Sequence, residues 1–68
     1  MKYNDIRDLK IDISIGQVDA SEISAYDNSG ELYLYDEHSS LIYHGEYFSH
    51  QACQDICKLL GIEELNEE

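Results

Sequence analysis

The side chains best suited to chemistry lie near the C-terminal end of the chain. His50, Cys53 and Cys57 are separated by three and four positions, so a helix would present all three on one side. Thiolate and imidazole groups are ligands that zinc prefers, and His38 or His44 from the preceding segment can supply a fourth. The spacing therefore makes these residues candidate zinc ligands.

A second interpretation of the two cysteines is that they belong to the core. Cys53 and Cys57 share an apolar helical stripe with Ile56 and Leu60, where a free cysteine behaves as a small hydrophobic residue. Known short zinc motifs place two ligands on a tight loop rather than three along one helix. We favour the core interpretation and predict no metal and no cofactor. A disulfide is disfavoured, because side chains at i and i+4 run nearly parallel.

Acid–base or nucleophilic catalysis is the next possibility. His44, Glu46 and Tyr33 share a face in one strand register and would form an acid–base group there. A cysteine nucleophile needs an accessible thiolate, and acidic surroundings raise a thiol pKa. A small sheet with one helix also offers no deep cleft. We therefore predict that the chain is not an enzyme.

The charge is strongly negative. The 68 residues include 15 Asp and Glu against 4 Lys and Arg, a net charge of −11. No lysine or arginine lies between Lys10 and Lys58. Without cations this segment cannot bind nucleic acid directly through phosphates or bind an anionic membrane. It can attract a basic partner, or its acidity can serve solubility alone, and the sequence leaves both interpretations open.

The length sets the expected organisation. A chain this short buries only about 60% of the surface that its unfolded form exposes, which makes a homodimer a reasonable hypothesis. We assign residues 1–62 to a single domain and residues 63–68 to an acidic, frayed tail. No apolar stretch approaches the length of a membrane span, and residues 1–10 lack the apolar segment of a signal peptide. We expect a cytoplasmic protein with reduced cysteines.

The elements that would position these residues begin with an alternating segment. Apolar residues occupy every second position from Leu9 to Ile15, which predicts a strand that ends at Gly16. A short helical turn containing Ile6 can precede it, capped by Asn4 or Asp5. Residues 19–26 fit either a helix or a strand. We prefer a strand over 22–27, preceded by one turn near Asp19 and followed by a three-residue loop, 28–30.

The remainder of the chain predicts a hairpin and a helix. Strands over 31–37 and 41–48 flank a polar turn, and Ser49 then caps a helix from His50 to Leu60 that Gly61 ends. The predicted fold class is α+β: a small antiparallel meander of three or four strands with one C-terminal helix packed on one face. The predicted core consists of Leu9, Ile11, Ile13, Ile15, Ile23, Leu32, Leu34, Ile56 and Leu60.

The hairpin has one aliphatic and one aromatic face. Tyr33 and Tyr35 alternate with the leucines and lie on the side that the helix leaves open. A two-residue hairpin loop would pair Tyr33 with His44 and Tyr35 with Ile42, although a one-residue slip would exchange the faces. The tyrosines are either simple strand formers or rigid contacts for a partner. The candidate partner-binding residues are Tyr26, Asp27, Tyr33, Tyr35, Asp36, Glu37, His44 and Glu46.

Three functional hypotheses follow. The first is a non-enzymatic protein that docks a basic protein surface through its acidic, tyrosine-bearing sheet face. In its specific form the chain is a nucleic-acid mimic, by analogy with small acidic inhibitors from phages and mobile elements. The second is a homo-oligomeric structural module, and the third is a small zinc-binding domain.

Overall fold

The computed structural model describes residues 2–47 and 49–67, and within them it confirms the α+β class. The sheet has four strands in the order β3-β2-β1-β4. Neighbouring strands pair antiparallel except β4, which runs parallel to β1, so the sheet is mixed and not a pure meander. The elements in chain order are helix α1 (Ile6–Ser14), a 3-10 turn (Ala20–Glu22), strands β1 (Ser24–Asn28), β2 (Glu31–Tyr35) and β3 (Leu41–Glu46), helix α2 (His50–Leu60) and strand β4 (Leu65–Glu67).

The strand predicted from Leu9 to Ile15 was wrong, because this segment lies in helix α1 and its C-cap. Asp5, one of the two expected cap residues, accepts a hydrogen bond from the Arg7 N–H at 2.9 Å. Gly16 follows the helix with a φ of 80°, in the left-handed conformation that commonly ends helices.

Helical spacing divides the apolar residues of α1 differently from strand spacing. Ile6, Leu9 and Ile13 are three and four positions apart and pack toward the core, where Leu9 is completely buried. Ile11 and Ile15 point away and are 57% and 64% exposed. Their predicted place in the core was therefore wrong.

The segment before the first hairpin agrees with the preferred interpretation. The Asp19 side chain accepts from the Ser21 N–H and caps the 3-10 turn, and strand β1 follows. Asn28 pairs directly with Glu31, so the loop has two residues rather than the three we predicted. Ser29 and Gly30 both have positive φ, 52° and 88°, as a type I′ hairpin turn requires.

The β2–β3 register is mostly the predicted one. Leu34 lies opposite Tyr43, and Tyr33 lies opposite His44. An irregularity after Leu34 places Tyr35 opposite Leu41 instead of Ile42, so that both Ile42 and Tyr43 are buried. The predicted strand ran to Phe48, which lies outside the described residues.

Helix α2 has the predicted bounds and caps. Ser49 Oγ accepts from the Ala52 N–H, and Gly61 takes the left-handed conformation with a φ of 81°. The Ile62 N–H then donates to the Cys57 carbonyl at 2.8 Å, and this bond closes a Schellman ending. The helix buries its apolar side, including both cysteines, against the sheet.

The chain end is more ordered than we expected. Leu65–Glu67 form β4 beside β1, so the prediction of a frayed tail over residues 63–68 was wrong for this part; Glu68 lies outside the described residues. The Asn66 side chain donates to the Ala25 carbonyl at 3.3 Å, and Leu65 packs against the core. Both helices and the core residues belong to one cluster on one face of the sheet, which we call the covered face.

Candidate functional site

The side of the sheet opposite the helices carries most of the residues that we predicted as partner contacts. Strand pairing places Tyr26 beside Tyr33 and Tyr33 beside His44. Glu31 and Glu46 lie opposite each other two residues closer to the first hairpin turn. Alternation along each strand puts these side chains on the same side. We call this surface the open sheet face; it consists of Tyr26, Glu31, Tyr33, Tyr35, His44 and Glu46.

Aromatic contacts fix the rings of this face. Tyr26 and Tyr35 meet edge to face with ring centroids 5.6 Å apart. Tyr33 stacks on His44 with centroids 4.4 Å apart and an interplanar angle of 10°. All four rings are half-buried, so each keeps surface for a contact with another molecule. Ring pairs held in this way lose little side-chain freedom on binding.

Glu31 anchors the polar end of the open sheet face. The Tyr33 hydroxyl donates to Glu31 Oε2 at 3.0 Å, and His44 Nε2 lies 3.6 Å from Glu31 Oε1. That His44 nitrogen is shielded from solvent and forms no hydrogen bond with any described residue. Glu31 was absent from our predicted contacts, although its two-residue spacing from Tyr33 places it on the same face.

Asp36 and Glu37 lie at one end of the sheet, in the β2–β3 turn, rather than on the open sheet face. The Asp36 carboxylate accepts from the backbone N–H groups of Ser40 and His38, and these bonds lower its pKa. Glu37 is exposed, and its negative charge raises the pKa of neighbouring Glu22. Asp36 therefore shapes the turn, while Glu37 adds negative charge beside it.

Asp27 occupies a different position from the one we predicted. We expected it to border the tyrosines, but it lies on the covered face and is only 6% exposed. Its carboxylate accepts from His50 Nδ1 at 2.6 Å and from the Gly30 N–H at 3.1 Å. The hydrogen bond from His50 is the main cause that lowers the Asp27 pKa. Asp27 therefore holds α2 and the first hairpin turn against β1.

His50 continues this contact toward the chain end. Its Nε2 atom lies 2.8 Å from Gln54 Nε2 and 3.3 Å from the Glu67 carboxylate on β4. The imidazole thus joins three elements of the fold: its own helix, β1 through Asp27 and β4 through Glu67. The hydrogen bond to Asp27 connects α2 to the sheet.

The two cysteines lack the chemistry of a nucleophile. Both are buried, and neither forms a disulfide. Burial raises the pKa of Cys53, with the negative charge of Asp27 as the second cause, and burial raises the pKa of Cys57 to about 11. Both thiols therefore remain protonated near neutral pH and pack as small apolar groups.

The predicted metal-ligand candidates are brought together only in part. His50 and Cys53 are both close to Asp27, whereas Cys57 is buried in the core one turn further along α2. Across residues 2–47 and 49–67, no group of three or more His, Cys, Asp or Glu side chains is arranged to hold a metal ion.

No family model, curated protein sequence or solved structure matches this chain. Neither of the two helices in the described part of the chain combines the length and apolar character needed to cross a membrane. The function is therefore inferred from the chain's own geometry.

Proposed function

We propose that this chain is a small, non-enzymatic binding protein that docks a basic protein surface through its open sheet face. The observation that carries the proposal is the combination of half-buried tyrosines and two glutamates on the side of the sheet opposite both helices. Tyrosine presents a large, stiff contact area, and carboxylates attract and orient a cationic partner.

Charge distribution supports the same partner chemistry. The four basic residues are confined to positions 2, 7, 10 and 58, so the strands that form the open sheet face contain none. Arg7 is already paired with Asp5 at 2.9 Å, on the N-terminal side of α1. A net charge of −11 also speeds encounter with a cationic surface at low ionic strength.

The specific form of the proposal is a nucleic-acid mimic. Such a protein occupies the phosphate-binding surface of a DNA- or RNA-binding protein with its carboxylates. The acidic turn at Glu37 would extend the negative charge beyond the open sheet face toward one end of the sheet.

Charge reversal at matched positions tests the proposal. Glu46→Lys alters the open sheet face, and Asp55→Lys makes the same change in charge on α2, on the far side of the sheet. Each protein is immobilised and exposed to a lysate of the source cells. We expect wild type and Asp55→Lys to retain the same basic protein, and Glu46→Lys to bind it at least about tenfold more weakly.

Further measurements separate this proposal from its alternatives. The captured protein is purified, and its affinity is measured as salt rises; docking through charge predicts steep weakening. For a mimic, the chain must also displace nucleic acid from that partner. Equal weakening by both charge reversals would show that net charge alone matters. Light scattering of the chain at two concentrations distinguishes self-association from docking of a different protein.

A further inference from the structure

The end of the open sheet face near the first hairpin turn contains two carboxylates on directly opposed residues. Glu31 and Glu46 lie directly opposite each other in the β2–β3 ladder. Like charges in this relation destabilise a sheet. Within the described residues, the one salt bridge made by a lysine or arginine joins Arg7 to Asp5, and it does not involve either glutamate. The paired glutamates therefore lack a permanently charged partner from the chain itself.

The aromatic pair beside these carboxylates is a stack in which each ring covers one face of the other and keeps its second face and its edge. Tyr33 and His44 stand nearly parallel, and the Tyr33 hydroxyl is already directed at Glu31. His44 Nε2 faces the other Glu31 oxygen at 3.6 Å, beyond ordinary hydrogen-bond distance. The Tyr33 hydroxyl thus orients the carboxylate of Glu31, while Glu46 is exposed.

We propose that Glu31, Tyr33, His44 and Glu46 form a binding site for the guanidinium group of an arginine side chain carried by the partner. This inference rests on the proposed function and specifies the partner chemistry at one end of the same face. A guanidinium is planar, stacks on aromatic rings, and presents several donors that can bind two carboxylates at once. It also loses less hydration than an ammonium group when it is buried in an interface.

Lysine satisfies the charge of this site but not its shape. Its ammonium group is a compact, strongly hydrated point charge on a flexible stem and does not stack on a flat ring pair. Two opposed glutamates beside stacked rings therefore discriminate between the two basic side chains. A purely electrostatic surface would treat them alike at equal charge.

The test compares two synthetic peptides of equal length, Gly-Ser-Arg repeats and Gly-Ser-Lys repeats, each labelled with the same fluorophore. Their affinities for the full chain are measured by fluorescence anisotropy at low salt. We expect the arginine peptide to bind about tenfold more tightly, the ratio expected for one additional charge-assisted hydrogen bond. Glu46→Gln should remove most of this ratio, while Asp55→Asn, which removes the same charge on α2, should preserve it.

The outcomes separate the inference from the proposed function. Equal affinities for the two peptides would overturn the arginine site and leave docking of a basic partner intact. A preference for arginine that Glu46→Gln leaves unchanged would also overturn the site, because arginine would then be recognised elsewhere. Failure of both peptides to bind at low salt would count against the arginine site and the proposed function together. Backbone amide NMR shifts of each variant confirm that the fold is retained.

Discussion

The two faces of the sheet are formed by alternate residues of the same strands, yet they carry different kinds of side chain. The covered face contributes Ala25, Leu32 and Leu34, each 0% exposed, to the contact with the helices. The open sheet face presents half-buried rings and two glutamates. Because burial of apolar area is worth roughly 25 cal/mol per Å², the covered face supplies most of the stability. The open sheet face leaves its polar groups available for recognition.

The two faces of the sheet also differ in how their carboxylates are paired. Asp27, a buried charged residue on the covered face, has its carboxylate satisfied by His50 and the Gly30 N–H. On the open sheet face, Glu31 and Glu46 face each other without a lysine or arginine between them. A buried charge must be paired within the chain, whereas an exposed charge is solvated by water and can pair with another molecule.

The largest expected difference between the faces is in apolar burial. Leu34→Ala removes a completely buried side chain and should destabilise the fold by about 2–5 kcal/mol, enough to unfold much of a domain this small. Tyr35→Ala, one position away on the open sheet face, should lose the edge contact with Tyr26, about 0.5–1.5 kcal/mol, and the partial burial of its ring, a smaller total than for Leu34→Ala. Urea unfolding followed by circular dichroism measures both. Similar losses for the two variants would show that the open sheet face is also part of the core.

The next effect in size concerns the buried carboxylate. Asp27→Asn removes the charge that accepts from His50 and should lower stability at neutral pH by about 1–3 kcal/mol. The folded-state pKa of Asp27 lies below the value of about 3.9 for an unfolded aspartate. Its contribution is therefore fully present above that value and is lost as pH falls through the folded-state pKa, since the unfolded state binds the proton more readily.

The measurement is the free energy of unfolding of wild type and Asp27→Asn from neutral pH to strongly acidic pH. The difference between the two proteins should shrink at strongly acidic pH. Taking the difference removes most of the change caused by the other carboxylates, which titrate in both proteins. Asp55→Asn on the exposed side of α2 should show little difference at any pH. Parallel curves for wild type and Asp27→Asn would contradict the role of this contact.

Elements with complete local signals were predictable from the sequence. Helix α2 has a serine cap, an apolar stripe and Gly61 at its end, and its bounds were correct. Strand β2 has strict alternation beside a turn signal, which correctly separated its leucines from its tyrosines. In both cases the local preference and the packing agree.

Elements that depend on distant contacts were less predictable. Leu9 and Ile13 fit both a two-residue and a 3.6-residue period, so the apolar pattern of α1 alone did not distinguish helix from strand. The Asp5 cap with Asp8 in the first turn favoured a helix and was the signal that could have decided. Strand β4 has no such signal, because it is held by pairing with β1 and by the packing of Leu65 against the core.

The residues of the candidate site also differ in how well the sequence predicted them. The tyrosine side of the hairpin followed from alternation within β2. Alternation with Ala25 within the strand predicted over 22–27 already placed Asp27 on the covered face, so its inclusion among the partner contacts did not follow from the pattern. Alternation with Tyr33 also placed Glu31 on the open sheet face, and its contacts with Tyr33 and His44 identify it as a site residue.

The smallest expected effect links stability to recognition on the open sheet face. Replacing Glu46 by glutamine removes the repulsion with Glu31 and should stabilise the free chain by about 0.2–1 kcal/mol. The same variant should weaken binding of a basic partner. Asp55→Asn removes one negative charge as well, but Asp55 is not part of a directly opposed pair, so its gain in stability should be smaller. Thermal unfolding at low salt resolves the difference, which added salt should reduce. If Glu46→Gln were less stable than wild type, Glu46 would stabilise the free chain, and the open sheet face would contain no repulsion for a cationic partner to relieve.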